Sequence, residues 1–147
     1  FAIGVVHDDL PYLPGDAEVE ESVFDLLIDA PAESSRLFST PNMPVNLQDH
    51  CIGLHASALV RDGGTLQIGI GSMGDALTAA LLLRQRDNAT YRALIDELGV
   101  RARWAETVER DGGLEPFRRG LYGCSEMFVP GLLALAEAEQ KKAAAQA

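Results

Sequence analysis

The stretch Thr65-Leu66-Gln67-Ile68-Gly69-Ile70-Gly71-Ser72-Met73-Gly74-Asp75-Ala76-Leu77 constrains the fold more than any other part of this chain. An apolar run that breaks into glycines and resumes as an alanine- and leucine-rich segment reads as buried strand, tight turn and helix. With no side chains at Gly69, Gly71 and Gly74, backbone N–H groups can approach a phosphate. The helix, expected to open at about Asp75, aims its positive dipole end at the same place. Two other readings of the glycines stand beside this one. A dinucleotide site shares the Gly-x-Gly-x-x-Gly pattern but needs a second strand ending in Asp or Glu about 20 residues on, where this sequence continues as helix. A strand-to-helix turn that holds no ligand is the plainer alternative.

At 147 residues and 47% hydrophobic content the chain can support one core of ordinary domain size. It starts at Phe1, inside the apolar run Phe1-Ala2-Ile3-Gly4-Val5-Val6, and is therefore expected to be a piece of something longer. A formal net charge of −10, with no run of Lys and Arg, argues against a nucleic-acid partner. The two cysteines, Cys51 and Cys124, form neither a CxxC nor a Cys/His set with metal spacing, so no metal site is expected and a reducing, cytoplasmic setting is. The longest apolar run, around residues 79–83, is far too short to span a bilayer, and no membrane partner is expected.

Read in order, the chain alternates strands with helices, which indicates an α/β fold with a mainly parallel sheet flanked by helices. Residues 1–6 read as a short strand and 23–29 as a second, with Pro11 and Pro14-Gly15 barring regular pairing between them. His7-Asp8-Asp9 reads as a solvated strand end. The long connection 30–48, with Pro41 and Pro44, is expected to be a functional cover or a path across the surface. Asp49 is the expected N-cap of a helix to about Val60, and residues 65–70 form the strand before the glycines. The helix at 76–86 is apolar almost all round, with Arg84 and Arg86 facing the negative dipole end of its last turn. Asn88 can cap a helix to Leu98, residues 102–110 a further one carrying Trp104 as a core or interface anchor, and residues 121–125 a last strand. Pro130 suits the first turn of a final helix. One domain is thus expected over residues 1–138, with 139–147 a frayed polar, alanine-rich tail.

The second stretch with chemical content is Gly120-Leu121-Tyr122-Gly123-Cys124-Ser125-Glu126-Met127-Phe128. A glutamate set between small and apolar neighbours is expected to be partly buried. A buried carboxylate is costly to leave unpaired, so Glu126 is either bridged to an arginine or used as a nucleophile. Cys124 reads as a buried small side chain. His50 and His55 stand five apart on one helix and do not share a face for a metal; they read as one surface and one packed histidine.

Several segments resemble the acetyl-CoA hydrolase/transferase family, the glutamate-dependent CoA transferases that include 4-hydroxybutyrate and butyrate:acetate CoA-transferases. They are Asp9-Leu10-Pro11-Tyr12 with Gly15-Asp16-Ala17, Phe24-Asp25, Ile52-Gly53, Leu59-Val60-Arg61-Asp62-Gly63, Leu66-Gln67-Ile68-Gly69-Ile70-Gly71, and residues 120–128. The resemblance runs over residues 8–135 in the family's order. It implies a CoA-transferase-like fold in which this chain is one part. Glu126 would be the catalytic nucleophile, and Gln67, Ile68, Gly69, Ile70, Gly71 and Gly74 would line the coenzyme A site.

No permanently bound cofactor is implied; coenzyme A enters as acyl-CoA substrate, with a small carboxylate as acceptor. A hydrolase, in which water takes the place of the acceptor, and a non-catalytic CoA-binding or assembly module are the alternatives. The family's active site lies between two similar halves, so the remaining half of a parent protein is an implied partner, and a homo-oligomer is expected. The chain departs from the family with Gly74 where many relatives carry Pro, with Pro130 where a polar residue is common, and with a longer insert at about residues 88–117.

Overall fold

The computed structural model describes residues 1–10, 12–29, 40–41, 43–127 and 129–145, with side chains described as far as Ala138. Most of the expected cover at 30–48, together with Pro11 and Phe128, lies outside the described residues. Among the described residues four short strands and five α-helices form, so the fold is mixed α/β. Each strand pair is parallel, but the four strands make two sheets of two rather than one sheet. The chain divides into two compact units, Phe1–Ser39 and Thr40–Ala147.

In the first unit, strand β1 (Ile3–Val5) pairs with β2 (Leu26–Ile28) in the register Ile3 to Leu26. Gly4, at the centre of β1, lies where a Cβ would meet the Leu27 and Phe24 side chains, so the glycine lets the ring of Phe24 close over the strand. Two short 3-10 turns, Gly15–Ala17 and Glu21–Val23, carry the proline-containing connection. His7 ends β1 in a turn, its Nδ1 accepting the N–H of Asp9 at 3.2 Å.

The second unit is built on helix α2 (Ser72–Arg86), which packs against α1 (Leu47–Ser57), α3 (Asn88–Glu97) and α5 (Pro130–Ala145). Two glycines make these approaches close. A Cβ at Gly53 would stand 2.7 Å from the Ala76 backbone, and one at Gly131 2.8 Å from Thr78 Oγ1. Helix α4 (Val100–Asp111) folds back so that Ala58, Tyr91, Ile95, Val100 and Val108 form one buried cluster with Leu54, Leu83, Leu98 and Leu114 around it. Each large apolar side chain fully buried there contributes about 1.5–3 kcal/mol. Inside the cluster the hydroxyls of Ser57 and Tyr91 meet at 3.0 Å. Trp104, at a kink in α4 (φ −130°, ψ 23°), remains exposed and takes no place in that core.

The caps of α1 and α3 differ from the expected ones because an acceptor side chain lies earlier in each stretch. Asn46 caps α1 and Asp49 completes the reciprocal capping box, Asp49 N–H to Asn46 Oδ1 at 2.8 Å. Asp87 caps α3 through Thr90 N–H, while Asn88 donates to the Arg84 and Leu114 carbonyls. Helix α2 opens at Ser72, three residues before Asp75, because Gly71 at φ +120° is a conformation that stops a strand and starts a helix only without a Cβ. Helix α5 is continuous to Ala145, so the segment expected to fray is helical through that residue.

Arg84 is not a surface partner for its own helix end. It is 1% exposed, and it donates to the carbonyls of Glu115 at 2.7 Å, Val60 at 2.7 Å and Ser57 at 3.2 Å. The carbonyls of Ser57 and Val60 lie at the end of α1, so the charge serves the negative end of a neighbouring helix. Desolvation by burial holds the guanidinium below its ordinary pKa. Together with Gln85, whose Oε1 accepts the Phe117 N–H at 2.8 Å, it pins the segment that leads into the last strand.

Candidate active site

Strand β3 (Thr65–Gln67) runs parallel to β4 (Tyr122–Cys124), with Gln67 opposite Cys124. The two strands therefore end together. Residues 68–71 leave the carboxyl end of β3, and Ser125 and Glu126 leave the carboxyl end of β4 beside them. Ligands of open parallel sheets bind at this end, where loops diverge and helix N-termini converge.

The strand ends are tied twice. Ile68 donates its N–H to the Cys124 carbonyl at 2.9 Å, and the Ser125 hydroxyl donates to the Ile68 carbonyl at 2.8 Å. Ile68 is 1% exposed, so its side chain and both backbone groups are committed to the fold. The amides that follow are not. Among the described residues the N–H groups of Gly69, Ile70, Gly71 and Glu126 have no hydrogen-bond acceptor. A Cβ at Gly69 or Gly71 would meet nothing within 4 Å, so space lies open above both. Gly74 plays a different part. It stands in the first turn of α2, where a Cβ would collide with the Gly69 carbonyl oxygen, so the glycine lets the helix sit against the loop.

Glu126 is exposed rather than set among apolar neighbours, and it makes no ion pair or hydrogen bond among the described residues. The expected partial burial does not hold, and no arginine among the described residues bridges the carboxylate; β4 ends at Cys124, two residues before it. Cys124, expected to be buried, is exposed like the rest of β4. His50 is exposed and His55 half-buried. Among the described residues no three His, Cys, Asp or Glu side chains are grouped to hold a metal ion, and no helix is long and apolar enough to cross a membrane.

Beside the glycine loop lies a small crevice lined by Thr40, Pro41, Ile70, Gly71, Asp75, Val129 and Pro130. Its volume of about 10 Å³ is the space of about one water molecule. Asp75 brings a half-buried carboxylate to it, and Val129 and Pro130 follow the Glu126 turn. Ser125 and Asp75 stand near this corner, and the sequence reading assigned Asp75 only a helix start and Ser125 only a strand end. For Ser125 the available signal is a small hydroxyl directly after a strand, a residue type that bonds nearby backbone and competes with the ladder.

Asp62 fixes the loop before β4 from the other end of the sheet. Its Oδ1 accepts the N–H groups of Arg119 at 2.9 Å and Gly120 at 3.1 Å. Burial acts on its carboxyl most strongly and raises the pKa. The backbone donors of residues 118–120 and the Arg119 charge together outweigh it, and the carboxyl is held below its ordinary value.

The chain matches no model of a known protein family and no curated protein.

Proposed function

We propose that this chain carries the nucleophile and part of the coenzyme A site of an acyl-CoA:carboxylate CoA-transferase, as its resemblance to the glutamate-dependent transferases implies. The observation that supports it is the pairing of β3 with β4, which brings the Glu126 turn and the open amides of Gly69, Ile70 and Gly71 to one end of one sheet. Glu126 attacks the thioester carbonyl; the carbon–sulfur bond breaks and coenzyme A leaves as thiolate, giving an acyl-glutamyl anhydride. The thiolate then attacks the glutamyl carbonyl, the acyl group departs as a carboxylate, and a glutamyl-CoA thioester remains. An incoming carboxylate repeats the two steps in reverse and leaves as the new acyl-CoA.

Each attack places negative charge on a carbonyl oxygen, and free amides beside the carboxylate are the groups that can receive it. Loss of one such donor costs about 2.7–4 kcal/mol of barrier. Exposure of Glu126 suits the first encounter with a large substrate, and the bound thioester itself then removes water from the carboxylate. Gln67, Gly69, Ile70, Gly71 and the helix behind Gly74 form the wall along which the pantetheine arm would lie.

A second reading, thioester hydrolysis, draws on the crevice: Asp75 stands where a single water would fit beside the same loop. Incubation of the full-length protein with acyl-CoA, followed by peptide mass mapping, tests the first step. A coenzyme A adduct on the Glu126 peptide, absent in Glu126→Gln, is the expected result. Absence of any adduct or turnover would leave a binding module. Product analysis with and without a carboxylate acceptor separates transfer from hydrolysis.

A further inference from the structure

We propose that Ser125 is a positioning residue for Glu126, an inference that rests on the reading of Glu126 as nucleophile. In a parallel ladder a residue bonds the two positions flanking its partner. Because Ile68 N–H already bonds the Cys124 carbonyl, the next rung would join the Glu126 N–H to the Ile68 carbonyl. The Ser125 hydroxyl occupies that carbonyl instead, at 2.8 Å. The side chain replaces the rung, and backbone pairing stops at Cys124, two residues before the carboxylate.

Two consequences follow from this one bond. The Glu126 N–H is left without a backbone acceptor among the described residues, free to serve the reacting carbonyl alongside Gly69 and Ile70. The turn at 125–127 is also fixed to the base of the glycine loop, since the bonded carbonyl belongs to the residue directly before Gly69. Without the hydroxyl the ladder can extend by a rung, which draws Glu126 back along the sheet edge and consumes its amide. Displacement of a reacting group by about 1 Å can cost about 10²-fold in rate.

The test compares Ser125→Ala with Ser125→Thr in the full-length protein, reading acyl transfer and amide hydrogen exchange. The alanine variant is expected to lower kcat by about 10²-fold with KM for acyl-CoA nearly unchanged. Its Glu126 amide should exchange more slowly than in the wild type, and threonine, which keeps Oγ, should restore both readouts. A purely structural serine would instead lower the melting temperature and leave the saturated rate intact. The positioning role is overturned by an unchanged kcat in the alanine variant, or by an unchanged exchange rate at Glu126. If the wild type shows no acyl chemistry at all, the proposed function fails. The exchange readout still decides whether the hydroxyl displaces the rung.

Discussion

The guanidinium of Arg84 stands over the ring of Phe117, 4.2 Å from the ring centroid, and its nitrogens satisfy three backbone carbonyls from two other parts of the chain. This one buried cation joins the end of α1, the end of α2 and the segment that becomes β4. The candidate site depends on it at a distance, because the segment around Phe117 delivers β4, which ends at Cys124 two residues before Glu126.

Arg84→Ala is expected to be among the most damaging single changes in the chain. It removes the side-chain donor from the partly buried Val60 and Glu115 carbonyls, each unsatisfied group costing about 1–3 kcal/mol, and leaves the Ser57 carbonyl with only the Val60 N–H at 3.2 Å, beside a void at Phe117. Arg84→Lys should recover only part of the loss, since a single ammonium cannot reproduce the planar fork or the stacking. Chemical denaturation midpoints measure both.

Glycines that look alike in the sequence should respond differently. Gly112→Ala drives a Cβ into the Ala58 carbonyl oxygen and should destabilise by about 1–3 kcal/mol. Gly69→Ala meets nothing within 4 Å and should leave stability within about 0.5 kcal/mol of wild type. If the loop is the coenzyme A wall, the same Gly69 change should raise KM for acyl-CoA. Thermal melts paired with saturation kinetics separate the two effects.

Glu126→Gln should melt with the wild type, because the side chain is exposed and has no bonded partner among the described residues. Acyl transfer by the same variant should fall to background. A melt unchanged together with activity unchanged would remove Glu126 from the chemistry.

Asp62 confers a pH dependence whose sign follows from its depressed carboxyl. The unfolded chain binds the proton at the ordinary value and the folded protein only at a lower one. The stabilisation is therefore complete above the ordinary range and is lost as pH falls through the folded value. Wild-type stability should drop relative to Asp62→Asn from about pH 4 downward, and urea midpoints across that range measure it.

The strands and helices were legible in the sequence because each depends on residues within a turn or two. Strands were expected at 65–70 and 121–125, of which only 65–67 and 122–124 are strand and neither is buried; Pro130 marked the start of α5. The caps at Asn46 and Asp87 were displaced from the expected ones for an equally local reason, since more than one side chain in each stretch could cap, and α2 opened early because Gly71 has no Cβ. Glu126 was legible as a residue with chemistry but not as an exposed one, since its neighbours in sequence are apolar and its surroundings in space are not.

The sequence by itself determined the alternation of elements and the glycine turn, because propensity, capping and steric freedom at a missing Cβ act over short range. Only the tertiary structure decided that Ser125 would meet Ile68 across 57 residues, that Arg84 would be buried, and that the strands would pair in twos. Those outcomes depend on register and packing between distant segments. The free energy of such contacts arises from neighbours that no local pattern names.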